Sequence, residues 1–361
     1  CVEKKIAALE GGVGALLTAS GQAALMIALM NILQAGDHVL ASSTIYGGTF
    51  NLFGVTLKKY GIESTFVDLD LSLEELQKFV KPNTRAVFGE TIANPAITVL
   101  DIEKFAALAH RNGIPLLVDN TFATPILCRP KEFGADIVIH STSKYMDGHA
   151  VQLGGAIVDL GTFDWNNGKF PGLSEPDESY HGLVYTKSFG NAAYITKARV
   201  QLMRDLGACP TAMGAFLLNL GLETMPVRME RHCRNAERVA EFLEKNPKVE
   251  FVKYPRLASS PYNSLAGKYL PDGTSGVIAF SIRGGRENAV RFMDSLKLAS
   301  NVVHVADIRT CVLHPASATH RQMTDEQLIA AGVTPGLIRL SVGLENIDDI
   351  LDDISQALER V

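Results

Sequence analysis

Between residues 20 and 160 the chain alternates short apolar runs with helical stretches, and this rhythm restricts the folds open to it more than any other feature. The runs are "HVLAS", "STFVDL", "TRAVFGET", "PLLVDNT", "DIVIHS" and "GAIVDL", separated by segments such as "SLEELQKFV" and "DIEKFAALAHRNG". Runs of this length, bounded by turn residues and alternating with helices, predict a doubly wound, mainly parallel sheet with helices on its faces. In "DIEKFAALAHRNG" Asp101 reads as an N-cap and Gly113 as a stop. Polar residues gather where the strands end, the edge at which open α/β sheets bind ligands.

After residue 160 the rhythm breaks. Residues 161 to 190 are rich in Gly, Pro, Asn and Ser and read as a long surface excursion. Long helical patterns follow, "RMERHCRNAERVAEFLEKNP" the clearest, and then a second α/β portion with "GVIAFSI" and "LIRLSVGLE". A chain of 361 residues exceeds what one core usually serves. We therefore expect a domain over 1–225 and a smaller C-terminal α/β domain over 226–361, changing near Met225–Pro226.

Lys plus Arg number 34 against 39 Asp plus Glu, with no basic arm, so nucleic acid is not an expected partner. Cys1, Cys128, Cys209, Cys233 and Cys311 are scattered and form no CxxC pair, which fits thiols in a reducing, cytoplasmic setting. The most apolar segment, from Val13, is broken by Ser20, Gly21 and Gln22; it reads as a loop and a buried helix, not a membrane span. The chain opens inside a helical pattern, with Val2, Ile6 and Leu9 on one face and no initiating Met, so residues ahead of Cys1 are expected.

The strand "DIVIH" runs into Ser141, Thr142, Ser143 and Lys144. Lys144 is either a solvated charge or, if desolvated, an amine able to form a Schiff base with a carbonyl cofactor. The hydroxyls of Ser141 and Ser143 could bind a phosphate. Asp119, directly after "PLLV", is either a turn former or a carboxylate that keeps a pyridine nitrogen protonated. A protonated pyridinium is an electron sink for carbanions. Ser20 caps a helix whose first amides, Gly21 and Gln22, could hold an anion, although no P-loop or dinucleotide fingerprint is present. Tyr46, beside Gly47 and Gly48, is either a packing residue or a ring that stacks on a planar cofactor. Cys311, His314 and His320 lie close in sequence, but without a fourth ligand they read as turn and packing residues, and no metal is expected.

Taken together, "SGQAA", "YGGT", "ANP", "VDNT", "STSK", "HPASATH" and "LIRLSVGLE" resemble, in order and spacing, the Cys/Met-metabolism family of enzymes that use pyridoxal 5′-phosphate. The resemblance spans essentially the whole chain. It implies a fold-type I enzyme with a seven-stranded, mainly parallel sheet and a smaller C-terminal α/β domain. It makes Lys144 the Schiff-base lysine, Asp119 the ring-nitrogen partner, and Gly21, Gln22, Ser141 and Ser143 phosphate contacts. Tyr46 would stack on the ring and act near the leaving group, and Asn94 would hold the cofactor's phenolic oxygen or the substrate carboxylate. Arg339 would grip the α-carboxylate, with Thr310 nearby.

The resemblance also implies a homotetramer built as a dimer of dimers. Family members supply a Tyr-x-Arg pair to the neighbouring subunit's phosphate from a segment ahead of this chain's start, and nothing here matches it. The insertion "FPGLSEPDESYHGLVY" and the segments after it resemble O-acetylhomoserine sulfhydrylases. That implies O-acetylhomoserine with sulfide or methanethiol as substrates, homocysteine and acetate as products, and a place in methionine biosynthesis. Methionine γ-lyase or cystathionine γ-synthase/lyase chemistry is the alternative within enzymes. A non-catalytic pyridoxal-phosphate-binding protein is the alternative outside them.

Overall fold

The structure is a computed structural model that describes residues 1–318 and 334–361. The chain divides into two compact units. The first comprises Cys1–Thr91, Leu100–Asp147 and Val151–Leu220; the second comprises Ile92–Val99, Gly148–Ala150 and Gly221–Val361. The division at Leu220/Gly221 falls inside the helix Ala212–Glu244, which continues through Pro226.

In the first unit, strands β1 (Gly14–Thr18), β2 (His38–Ser42), β3 (Glu63–Val67), β4 (Thr84–Glu90), β5 (Leu116–Asp119), β6 (Ile137–His140) and β7 (Gly155–Asp159) form a seven-stranded sheet ordered β1-β7-β6-β5-β4-β2-β3. Pairings from β3 through β6 are parallel, while β7 is antiparallel to both β6 and β1. The expected mainly parallel sheet is therefore present, with β7 as its one reversed strand. Strands β2, β6 and β7 are buried along their whole length, as a sheet covered on both faces requires.

Helix α1 spans Val2–Glu10 and buries Val2 and Ile6, but its last residue, Glu10, is buried as well. Helix α2 spans Gly21–Met30 and is capped as expected, Ser20 Oγ accepting from Ala23 N at 3.1 Å. The helix Ile102–Arg111 begins at the Asp101 cap, and Gly113 beyond it has φ 59°.

Two expectations change. The segment ahead of α2 is a strand rather than a loop. Residues 14–18 are only Gly, Ala, Leu and Thr, so β-propensity gave little signal, and antiparallel pairing with β7 decides the outcome. The excursion 161–190 is not a bare surface loop: it carries short turns of helix and buries Trp165, Phe170, Leu173 and Tyr185. Trp165 stacks on Tyr194 with ring centroids 5.1 Å apart, so aromatic packing offsets the turn-forming composition.

In the second unit, strands β8 (Val249–Lys253), β9 (Val277–Ile282), β10 (Ser300–Asn301), β11 (Cys311–Leu313) and β12 (Leu337–Ser341) form a five-stranded sheet ordered β10-β11-β12-β9-β8. Its core joins Ile278, Phe280, Phe292, Ile338, Leu340, Ile350 and Ile354, with Phe280 edge-on to Phe292 at 5.8 Å. Arg339 lies on the central strand β12, opposite Ala279.

Candidate active site

In the first unit the carboxyl ends of β2, β5 and β6 and the start of α2 carry the singled-out residues. Asp119 ends β5 and His140 ends β6, and Asp119 pairs with Ile139 in parallel register. The two strand ends are laced together. Thr121 N donates to Asp119 Oδ1 at 2.9 Å, while Thr121 Oγ1 accepts from Ser141 N at 2.8 Å. Burial pushes the Asp119 carboxyl up, opposed by the hydrogen bonds from Thr121 and by the charge of His140. Among the described residues no cationic side chain bonds this carboxylate. A carboxyl so placed is suited to a positive partner.

Lys144 lies in the turn after β6, half-buried, its amide donating to Ser141 O at 3.3 Å. Ser141 sits directly against α2. A Cβ built on Gly21 would lie 2.7 Å from Ser141 Cβ and 2.9 Å from Ser141 Cα, so only glycine allows the approach. Among the described residues the amides of Gly21 and Gln22 have no acceptor, and neither they nor the Ser141 hydroxyl is spent on a side chain. Unmatched amides at a helix start, beside a hydroxyl, form a receptor for an anion.

Ser143 is arranged differently. It is buried; its hydroxyl donates to Gly154 O at 3.2 Å and accepts from Gly154 N at 3.0 Å. Tyr46 follows β2 and is 49% exposed, and its amide donates to Glu90 Oε1 at 2.7 Å. The ring folds back over Gly48, where a Cβ would lie 2.5 Å from Tyr46 Cε1. Gln22 Nε2 donates to Thr49 Oγ1 at 3.2 Å, which ties this turn to the start of α2.

The second unit holds the other three. Arg339 is 7% exposed; Nη2 donates to Val303 O at 2.7 Å and His304 O at 3.3 Å, and Nη1 to Asn94 Oδ1 at 3.4 Å. Arg339 and Asn94 thus meet although far apart in sequence. Thr310 is 1% exposed, and its hydroxyl donates to Glu345 Oε2 at 2.9 Å while accepting from Gly343 N at 2.9 Å. That commits the Thr310 hydroxyl to the segment that follows β12. His314 uses both ring nitrogens, on Ser317 Oγ at 2.8 Å and Pro335 O at 2.7 Å; His320 lies outside the described residues.

Sequence reasoning did not single out Glu10 and Asn120. Both are fully buried directly behind the strand ends, where His140 Nε2 and Glu10 Oε1 are 2.7 Å apart. The one sequence signal was the polar His140 ending an apolar strand.

Residues 1–359 match the family model described as Cys/Met metabolism PLP-dependent enzyme. The chain is 48% identical over 369 residues to the O-acetyl-L-homoserine sulfhydrylase of Leptospira meyeri, covering all of this chain and 83% of the relative. It is 48% identical over 360 residues to the homocysteine synthase of Schizosaccharomyces pombe, covering 99% of this chain and 84% of that one. Among solved structures, a Campylobacter jejuni chain named as an O-acetylhomoserine (thiol)-lyase superposes with a TM-score of 0.95 at 41% identity, over 99% of this chain and 85% of its own. That crystal structure carries a pyridoxyl phosphate group on a lysine.

Proposed function

The chain belongs to the Cys/Met-metabolism family of pyridoxal-phosphate-dependent enzymes, and from that premise we propose that it catalyses γ-replacement, converting O-acetyl-L-homoserine and hydrosulfide to L-homocysteine and acetate. The observation that carries the proposal is the cradle in the first unit: α2 amides without acceptors against Ser141, Lys144 in the same turn, and Asp119 without a cationic partner among the described residues. These residues fit the cofactor. Gly21, Gln22 and Ser141 would take its phosphate, Asp119 its protonated ring nitrogen, Lys144 its carbonyl carbon, and Tyr46 the face of its ring. Ser143 would support the phosphate side through its bonds to Gly154.

When bound, pyridoxal phosphate supplies an electron-withdrawing ring that acidifies the substrate's α-carbon. Asp119 would keep the ring-nitrogen proton in place by opposite charge. Lys144, as base, would take a proton from the α-carbon and then one from the β-carbon. Tyr46 would stand at the γ-position where acetate departs with its bonding pair and hydrosulfide adds. Arg339 would hold the α-carboxylate through its planar fork, beside Asn94, a task for which an ammonium is a poor substitute. Thr310 would act through Glu345 in shaping its turn rather than by touching substrate.

The relatives' names support the sulfhydrylase reading over a lyase. Exposed Met213, Phe216 and Leu220, at helical spacing, support an oligomer, which we read as a dimer of dimers. Five cysteines without disulfides support a cytoplasmic setting. No helix among the described residues is long and apolar enough to cross a membrane.

The test is homocysteine formation from O-acetylhomoserine, with pyridoxal phosphate present, as sulfide is titrated. Sulfide-dependent homocysteine is expected; 2-oxobutyrate formed without any need for sulfide would move the function to a γ-lyase.

A further inference from the structure

Three buried side chains lie behind the strand ends, and the proposed mechanism uses none of them. Glu10, at the end of α1, and Asn120 and His140, beyond β5 and at the end of β6, are each fully inaccessible to solvent. His140 Nε2 lies 2.7 Å from Glu10 Oε1, and Asn120 Nδ2 donates to the same oxygen at 2.9 Å. Two donors therefore converge on one carboxylate oxygen. A buried carboxylate is costly unless donors or a cation answer it, and here both come from neighbours of the working residues. Asn120 follows Asp119, and His140 precedes Ser141.

The remaining bonds of the group run the same way. Asn120 N donates to Ile139 O at 2.9 Å, Asn120 Nδ2 also reaches Cys128 O at 2.9 Å, and Thr91 Oγ1 donates to Asn120 Oδ1 at 2.8 Å. Glu10 thus fastens the end of β5 to the end of β6 from a third element, α1.

We propose that Glu10, acting through His140 and Asn120, is a positioning residue that fixes the Asp119 carboxylate and its negative charge for the cofactor's ring nitrogen. This rests on the reading of Asp119 given above. Asp119 itself is opposed by burial and helped by Thr121 and by the charge of His140, the one titratable neighbour that favours its ionised form. Removing the imidazole leaves the Thr121 bonds alone against burial, and removing the Glu10 carboxylate takes away the group that anchors the imidazole. The proton shared between carboxylate and ring nitrogen then moves toward the carboxylate.

The experiment uses the holoenzyme loaded with pyridoxal phosphate labelled with ¹⁵N in the ring, and reads the nitrogen's chemical shift at neutral pH. Glu10→Gln keeps the shape and an oxygen for both donors but loses the charge. His140→Gln carries the same test should Glu10→Gln fail to fold, and Asp119→Asn is the reference.

The expected result is a signal that moves from the protonated toward the unprotonated position in Asp119→Asn and, part of the way, in the other two. Cofactor affinity falls with it by about tenfold, the worth of one pKa unit. A cofactor analogue with carbon in place of the ring nitrogen should bind wild type and Glu10→Gln alike, which a merely structural defect would not produce. A shift in Asp119→Asn with none in Glu10→Gln or His140→Gln overturns the inference and leaves Asp119 its role. No shift in any of the three overturns both.

Discussion

Gly21→Ala isolates the contact on which the anion receptor depends. The φ of Gly21 is not positive, so alanine meets no backbone strain, and the substitution acts through space alone. Its Cβ would stand 2.7 Å from Ser141 Cβ, 2.9 Å from Ser141 Cα and 3.1 Å from Ser141 Oγ, where ordinary contact begins at 3.4 Å. One of these atoms is backbone, so no rotamer relieves the clash. The start of α2 and the Ser141 turn must separate by roughly 0.5–1 Å in a close-packed interior.

A phosphate held by both sides then loses one or two charge-assisted bonds. At about 1.5–3 kcal/mol each, that is roughly a 100-fold rise in Kd. Stability should change less, because overpacking of about 1–3 kcal/mol is partly offset by the better helix former. The assay is titration of the apoprotein with pyridoxal phosphate, read by the bound cofactor's absorbance, beside thermal unfolding of the apo forms. Gly267→Ala is the control, since it lies in the helix Asn263–Tyr269 with no atom within 4 Å of the added methyl. A folded Gly21→Ala protein whose Kd stays within about threefold of wild type would refute the idea that this approach builds the receptor.

Three further outcomes are expected. Lys144→Ala should lose turnover by at least about 10³-fold and leave no cofactor trapped on the chain by borohydride, with the circular dichroism of the fold unchanged. Arg339→Lys gives up the fork and its bonds to Val303 and His304 carbonyls, so KM for O-acetylhomoserine should rise by about 100-fold with a smaller change in kcat. His38, fully buried between the hydroxyls of Thr84 and Thr65, is held down to about 4 by burial and then by the charge of Lys81. The unfolded chain binds this proton below the ordinary 6.5. Stability is therefore full above that pH and falls as pH drops toward 4, by up to about 3 kcal/mol. Denaturant titrations should show that slope weakened in His38→Gln.

Features set by local chemistry were legible in the sequence. Ser20 and Asp101 announced their helices because a short polar side chain at an N-cap answers the next free amide. The strands β2 through β7 announced themselves by apolar runs, several of which end in polar residues such as Asp119 and His140. Features set by packing were not. Strand β1 has weak strand formers and exists because β7 pairs with it, and the turns after residue 160 are held by Trp165, whose partner Tyr194 lies far along the chain. Glu10 was the least legible. In α1 it lies four residues past Ile6, on the face that Val2 and Ile6 bury, but a charged residue at the helix end reads as solvated, and only the fold shows it buried against His140 and Asn120. Ser143 and Thr310 show the same limit: their hydroxyls bond Gly154 and, far along the chain, Gly343 and Glu345, partners that cannot be read from spacing.

The proposed roles assign the two units different ligands, and this can be tested without reference to how the units are arranged. Gly21, Ser141, Lys144 and Asp119, all in the first unit, would answer the cofactor; Arg339 and Asn94, in the second, would answer the amino acid. Gly21→Ala should therefore raise the Kd for pyridoxal phosphate while, at saturating cofactor, KM for O-acetylhomoserine moves by less than about threefold. Arg339→Lys should do the reverse. Because each variant is judged in both assays, a general loss of fold cannot imitate the pattern: it would move both quantities together. An Arg339→Lys protein that binds cofactor as poorly as Gly21→Ala, with an unaltered KM once loaded, would show that the guanidinium serves the cofactor side, and the assignment of the α-carboxylate to Arg339 would fall.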